Sequence, residues 1–101
     1  MAKFELSVYD MTTEKVIKTL QRNKIPVNLY IRFQELSESL TKQKITKDAE
    51  MFAALKDLFV ETFPELTADE YMNGVDVGEV LRMFRDIIAK ASQVSAGNSK
   101  N

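Results

Sequence analysis

The chain has 101 residues, 45% of them hydrophobic and 29% charged, with a formal net charge of −1. That is the size and balance of one globular domain with a single core. It carries no cysteine and no histidine, which removes disulfides, thiolate-bound zinc or iron–sulfur, and the commonest general base and nucleophile.

In chain order, Lys3 to Tyr9 alternates Phe4, Leu6 and Val8 against Glu5 and Ser7, the period of a half-buried strand. After a turn-like Asp10–Glu14, Val16 and Leu20 fall on one side and Ile17 and Thr19 on the other. This reads as a β-hairpin over 3–22. A short helix over 13–24 is the competing reading, with Thr13 as its cap and Ile17, Leu20 and Lys24 at helical spacing. Pro26 holds Ile25 out of helical geometry, and Asn28 is placed to cap a helix over about 28–40. The inner stripe of that helix is Leu29, Phe33, Leu36 and Leu40, with Tyr30 and Ile31 off it. Those two residues either pack against the hairpin or form an apolar contact surface.

Thr46 is the expected cap of a second helix over 46–63, with Asp48 and Glu50 favourable near its positive end. It carries Met51, Phe52, Leu55, Leu58, Phe59 and Phe63, and Pro64 stops it. Thr67 with Glu70, and Asp76 with Glu79, each have the spacing of a capping box. They open a short helix over 67–73 and a last one over 76–92. Gly74 is expected to close the short helix in the left-handed conformation, and Gly78 to permit close approach of another segment. The last helix presents Val77, Val80, Leu81, Phe84, Ile87, Ile88 and Ala91 along one face. The fold class is therefore mainly α: a domain over 1–92 of three to four helices with an N-terminal β-hairpin, and a disordered polar tail over 93–101.

Charge is unevenly placed. Residues 1–47 hold nine Lys/Arg against five Asp/Glu, and residues 48–101 hold five against ten. Chance placement over solvated faces is one reading; head-to-tail attraction between copies is another. A nucleic-acid patch is the weakest reading, because Lys42, Lys44 and Lys47 lack interleaved aromatics. No run approaches the ~20 apolar residues of a membrane span, and no signal-peptide core is present. The three glycines are scattered, so no phosphate loop is formed. Asp69, Glu70, Asp76 and Glu79 do not match a calcium loop and are explained by capping. No catalytic residue, metal site or cofactor is expected.

The block from Phe63 to Leu81, with its Pro64-Glu65-Leu66, Thr67-Ala68-Asp69-Glu70, Asn73-Gly74 turn and following Phe84-Arg85-Asp86-Ile87-Ile88, resembles the tail assembly chaperones of long, non-contractile-tailed bacteriophages of Gram-positive hosts. The resemblance implies a protein that coats the helical, aggregation-prone tape measure protein in the host cell cytoplasm until tube subunits displace it. It implies absence from the finished virion, a homo-oligomer, and a frameshifted longer form that recruits the tail tube protein. Lys100-Asn101 is the dipeptide an A-rich slippery sequence encodes, so the chain is expected to be the short form. A groove for the client helix has Phe59, Phe63, Leu66, Tyr71, Met72 and Val75 as candidate walls, with Tyr30 and Ile31 as a second contact. Met72 suits that role through its adaptable thioether. The competing assignment is that these side chains seal a corner of the core. The alternatives from other classes are a small nucleic-acid-associated regulator using the basic N-terminal half, and a structural adaptor.

Overall fold

The computed structural model describes the backbone of residues 4–99 and side chains as far as Lys90. Strands β1 (Phe4–Asp10) and β2 (Lys15–Arg22) pair antiparallel, with Leu6 opposite Leu20 and Val8 opposite Lys18. The hairpin reading holds over the helical one because the turn is locally satisfied. The Asp10 carboxylate accepts from the amides of Thr12 at 2.9 Å and Thr13 at 3.4 Å. Glu14 then takes a left-handed φ of 62° and donates its N–H to the Asp10 carbonyl. Strict alternation fails at one place. A bulge leaves Ile17 unpaired between Val16 and Lys18, which moves Val16 to the outer face and leaves both apolar residues exposed.

Helix α1 (Val27–Thr41) starts one residue before the expected Asn28 cap. Pro26, at φ −58° and ψ 146°, is the cap residue, and its carbonyl already accepts from the Tyr30 amide at 3.0 Å. Asn28 therefore lies inside the first turn. The helix ends in a Schellman motif: Gln43 is left-handed at φ 61°, and Lys44 donates to the Ser39 carbonyl at 2.8 Å. Helix α2 (Asp48–Thr62) is capped at Lys47, an extended residue with no side-chain bond. Thr46 stands one position too early to reach the free amides. Asp48 and Glu50 do occupy the first turn, where they offset the helix dipole. Phe63 is extended at φ −121° because Pro64 follows it.

Helix α3 (Ala68–Gly74) opens with both bonds of the capping box, Glu70 N–H to Thr67 Oγ1 at 3.1 Å and Thr67 N–H to Glu70 Oε1 at 2.9 Å. Gly74 closes it without a positive φ; the left-handed expectation is corrected. What requires glycine is proximity to β1, where a Cβ would stand 2.9 Å from Val8 Cγ1 and 3.3 Å from the Tyr9 carbonyl oxygen. Gly78 is corrected likewise, since a Cβ there would meet the Asp76 carboxylate of its own turn and no other segment. Helix α4 (Val77–Ser99) continues past the expected end at 92, so residues 93–99 of the expected tail are helical in backbone. Lys100 and Asn101, on which the short-form reading rests, lie outside the described residues.

These elements stack with α4 between the hairpin and α1, while α2 packs on α1 and α3. Phe33 is the hub, 6.0 Å from the Phe59 ring and 6.1 Å from that of Phe84. Phe59 in turn meets Tyr71 edge-on at 5.9 Å. On α4 the inward stripe is Val80, Met83 and Ile87. Met83 was not among the residues the periodicity assigned to the apolar face. Among the described residues three ion pairs tie the basic half to the acidic half: Lys18–Glu70, Arg22–Glu65 and Arg32–Glu61, at 2.9, 2.8 and 2.5 Å.

Candidate interaction surface

Of the eight residues expected to contact a partner, Phe59, Phe63, Leu66, Tyr71 and Val75 are buried, with Phe59 and Phe63 at 0% exposure. The Arg22 guanidinium sits 5.8 Å above the Phe63 ring, and the Leu66 amide donates to the Phe63 carbonyl at 2.9 Å. These contacts make that corner part of the core. Tyr30 is half-buried, its hydroxyl 3.2 Å from Gln34 Oε1. Ile31, its neighbour on α1, is exposed.

The structure brings Tyr71, Met72 and Val75 together with Phe52, Val77 and Val80 in a groove of about 260 Å³ at the α3–α4 corner. Every one of these side chains is apolar or aromatic. Met72 and Val77 form its lip, at 62% and 57% exposure. At its floor the Tyr71 hydroxyl donates to the Phe52 carbonyl at 3.0 Å, tying α3 to α2. Burial of that phenol pushes its pKa up to about 12, so it stays a neutral donor across the physiological range.

The second half of the expected Asp76–Glu79 capping box is redirected. Asp76 Oδ2 accepts from the Glu79 amide at 3.2 Å, but the Glu79 carboxylate leaves its own helix for the hairpin. It accepts from the Ser7 amide at 3.2 Å and from the Tyr9 hydroxyl. The bond to Glu79 and partial desolvation hold the Tyr9 phenol above its ordinary value. Glu79 is thus the clamp that fixes the hairpin over α4. Beside it, Tyr9, Met11, Glu14, Asp76 and Glu79 line a more polar hollow of about 350 Å³.

A third depression, of about 420 Å³, runs between α1, α2 and α4 and includes Met51, Leu81, Phe84, Arg85 and Ile88. With exposed Val77, the half-buried residues Leu81, Phe84 and Ile88 form a second apolar stripe on α4. Sequence reading placed these residues on one face with Val80 and Ile87. The usable signal was the width of that face: seven apolar positions exceed what one packing contact covers. Among the described residues no three carboxylates gather to hold a metal ion, and no helix is long and apolar enough to cross a membrane.

The described residues thus form a small helical domain on a hairpin, with apolar grooves at its corners. Residues 1–101 match the family described as phage tail chaperone protein, and the chain belongs to that family. Its role is accordingly in bacteriophage tail assembly, inside the infected host. No curated protein and no solved structure matched the chain.

Proposed function

We propose that this chaperone binds the tape measure protein of a long, non-contractile-tailed phage of a Gram-positive host and keeps it soluble while tube subunits are recruited. It acts by binding alone, in the host cytoplasm, and leaves before the virion is complete. The observation that carries the reading is the family match along residues 1–101. The apolar groove at the α3–α4 corner supports it, because an amphipathic client helix is captured by laying its apolar face into such a groove. Recruitment of the tube protein belongs to a frameshifted longer form, and the short form holds the client as a homo-oligomer.

The test is co-expression of the tape measure protein with and without this chain, followed by centrifugation. The expected result is a client that stays in the supernatant and co-purifies only when the chain is present, and a chain missing from purified particles. A client equally soluble alone, or a chain retained at fixed stoichiometry in virions, would overturn the reading in favour of a structural adaptor.

A further inference from the structure

We propose that the outer edge of β2 pairs antiparallel with the same edge of a second copy, Thr19 against Thr19, making a four-stranded sheet across a two-fold axis. This rests on the homo-oligomer of the reading above and gives it a surface. The hairpin is a sheet of two strands, so each strand has one edge with no strand beside it. The β1 edge is occupied. Its Ser7 amide donates to Glu79 Oε1 at 3.2 Å, and Gly74 of α3 packs so close that a Cβ there would stand 3.3 Å from the Tyr9 carbonyl oxygen.

The β2 edge is open, and the ladder fixes which groups it offers. In an antiparallel pair, opposite residues alternate between exchanging both backbone hydrogen bonds and turning both sets of groups outward. Ser7 turns its N–H outward to Glu79, so its ladder partner Thr19 also faces out, as does Gln21 opposite Glu5. The Gln21 carbonyl accepts from Arg22 at 2.8 Å. The Thr19 N–H and carbonyl and the Gln21 N–H have no such partner among the described residues. Beside them Val16 and Ile17 are 52% and 64% exposed. With Thr19, these β-branched residues suit a strand that is paired on both edges.

Charge sets the register. Lys18 and Arg22 are matched within the chain by Glu70 and Glu65, so a second β2 is tolerated provided that cations do not stand face to face. A two-fold axis at Lys18 sets Lys18 against Lys18, and one at Leu20 sets Lys18 against Arg22. An axis at Gln21 leaves Ile17 uncovered. With the axis at Thr19, Lys18 faces Leu20, Ile17 faces Gln21, and each free Thr19 N–H meets the free Thr19 carbonyl of the other copy. Lys15 falls past the end of the partner strand at Arg22. The bulge between Val16 and Lys18 keeps the ladder short, and the occupied β1 edge stops the sheet at two copies. A helical client cannot fill this edge, because its amides and carbonyls are bonded within the helix. The occupant is a second copy.

The chain has no cysteine, so one introduced thiol reports on its own counterpart. Thr19→Cys sets two thiols about the axis, where the Cα atoms of a hydrogen-bonded pair stand about 5.5 Å apart, within disulfide reach. Mild oxidation is expected to turn Thr19→Cys into a covalent dimer and to leave Thr13→Cys, in the hairpin turn, as single chains. Light scattering of the unaltered chain is expected to give the mass of two chains, unchanged at high salt, since backbone pairing lacks the salt dependence of charge attraction. Thr19→Pro removes an N–H that β1 does not use and is expected to give the mass of one chain. A one-chain mass at every concentration overturns the proposal, as does a two-chain mass that Thr19→Pro keeps or that salt abolishes. A two-chain mass with no cross-link at Thr19 assigns the contact to another surface and overturns it equally. The tape measure co-expression is read separately. A chain that cross-links through Thr19 but leaves the client insoluble keeps this contact and ends the chaperone reading. A one-chain species that holds the client does the reverse.

Discussion

Gln43 and Gly74 hold the two backbone positions where residue identity and local geometry are most tightly linked. Gln43 occupies the left-handed position of a Schellman motif at φ 61°, a conformation costing a residue with a Cβ roughly 1–2 kcal/mol. Glycine there gives back part of that through its greater loss of freedom on folding, about 0.5–1 kcal/mol. Gln43→Gly is therefore expected to raise stability by about 0.5–1 kcal/mol, read as a higher urea midpoint at unchanged slope. Gly74 is the opposite case. Alanine would favour the helix by about 1 kcal/mol, but its methyl would stand 2.9 Å from Val8 Cγ1 and 3.3 Å from a strand carbonyl. Neither neighbour is the free end of a long side chain, so Gly74→Ala is expected to cost about 1–3 kcal/mol through overpacking. A melting temperature equal to or above the wild type would show that β1 can yield.

At the scale of elements, the hairpin and α4 depend on each other through one side chain. Glu79 has the spacing of a capping-box residue, yet its carboxylate is committed to Ser7 and Tyr9. Glu79→Ala leaves the Asp76 cap in place and removes both bonds to β1. Amide exchange in Phe4–Asp10 and Lys15–Arg22 is expected to speed by about tenfold or more, while α1 and α2 keep their protection, as for a locally opening unit. Acceleration spread evenly over all helices would show instead that the hairpin opens only with the whole domain. Strand pairing itself was legible, because Phe4, Leu6 and Val8 alternate. The exposure of Val16 was not, since the bulge at Ile17 inverts the alternation and nothing in the local composition marks it.

For the whole molecule, the charge asymmetry between halves is partly consumed inside the chain. Lys18, Arg22 and Arg32 from the basic half meet Glu70, Glu65 and Glu61 from the acidic half. The Glu65 carboxyl is held below its ordinary value by its own backbone amide and then by Arg22. That of Glu70 is lowered by the Thr67 amide and then by Lys18. Both carboxyls hold protons less tightly when folded, so their contribution is present above the unfolded value near pH 4.5 and is lost as pH falls through the lowered folded values. The melting temperature is expected to fall with acid below about pH 4.5. A Glu65→Gln, Glu70→Gln double variant is expected to start lower at neutral pH and show a shallower acid slope; parallel curves would assign the acid sensitivity elsewhere. Head-to-tail attraction between copies must then draw on the charges left over. Any oligomer built that way is expected to lose mass as salt rises, measured by light scattering.

Local chemistry alone determined the element order, the breaks at Pro26 and Pro64, the Thr67–Glu70 capping box and the phenylalanine core. Each depends on a backbone constraint, a side chain reaching three residues, or a period of two or 3.6. The caps of α1 and α2 were misplaced, by two residues and by one, because the cap is wherever the first free carbonyl finds its amide, with or without a polar side chain. Only the tertiary structure decided which apolar residues are surface. Phe63 and Leu66 look as suited to a partner as Met72 and Val77, and they differ solely in whether another element covers them. The same holds for Glu79: its spacing announced a cap, and the nearness of β1 gave the carboxylate a better pair of donors. Exposure and pairing are properties of distant segments meeting, so no window of sequence contains them.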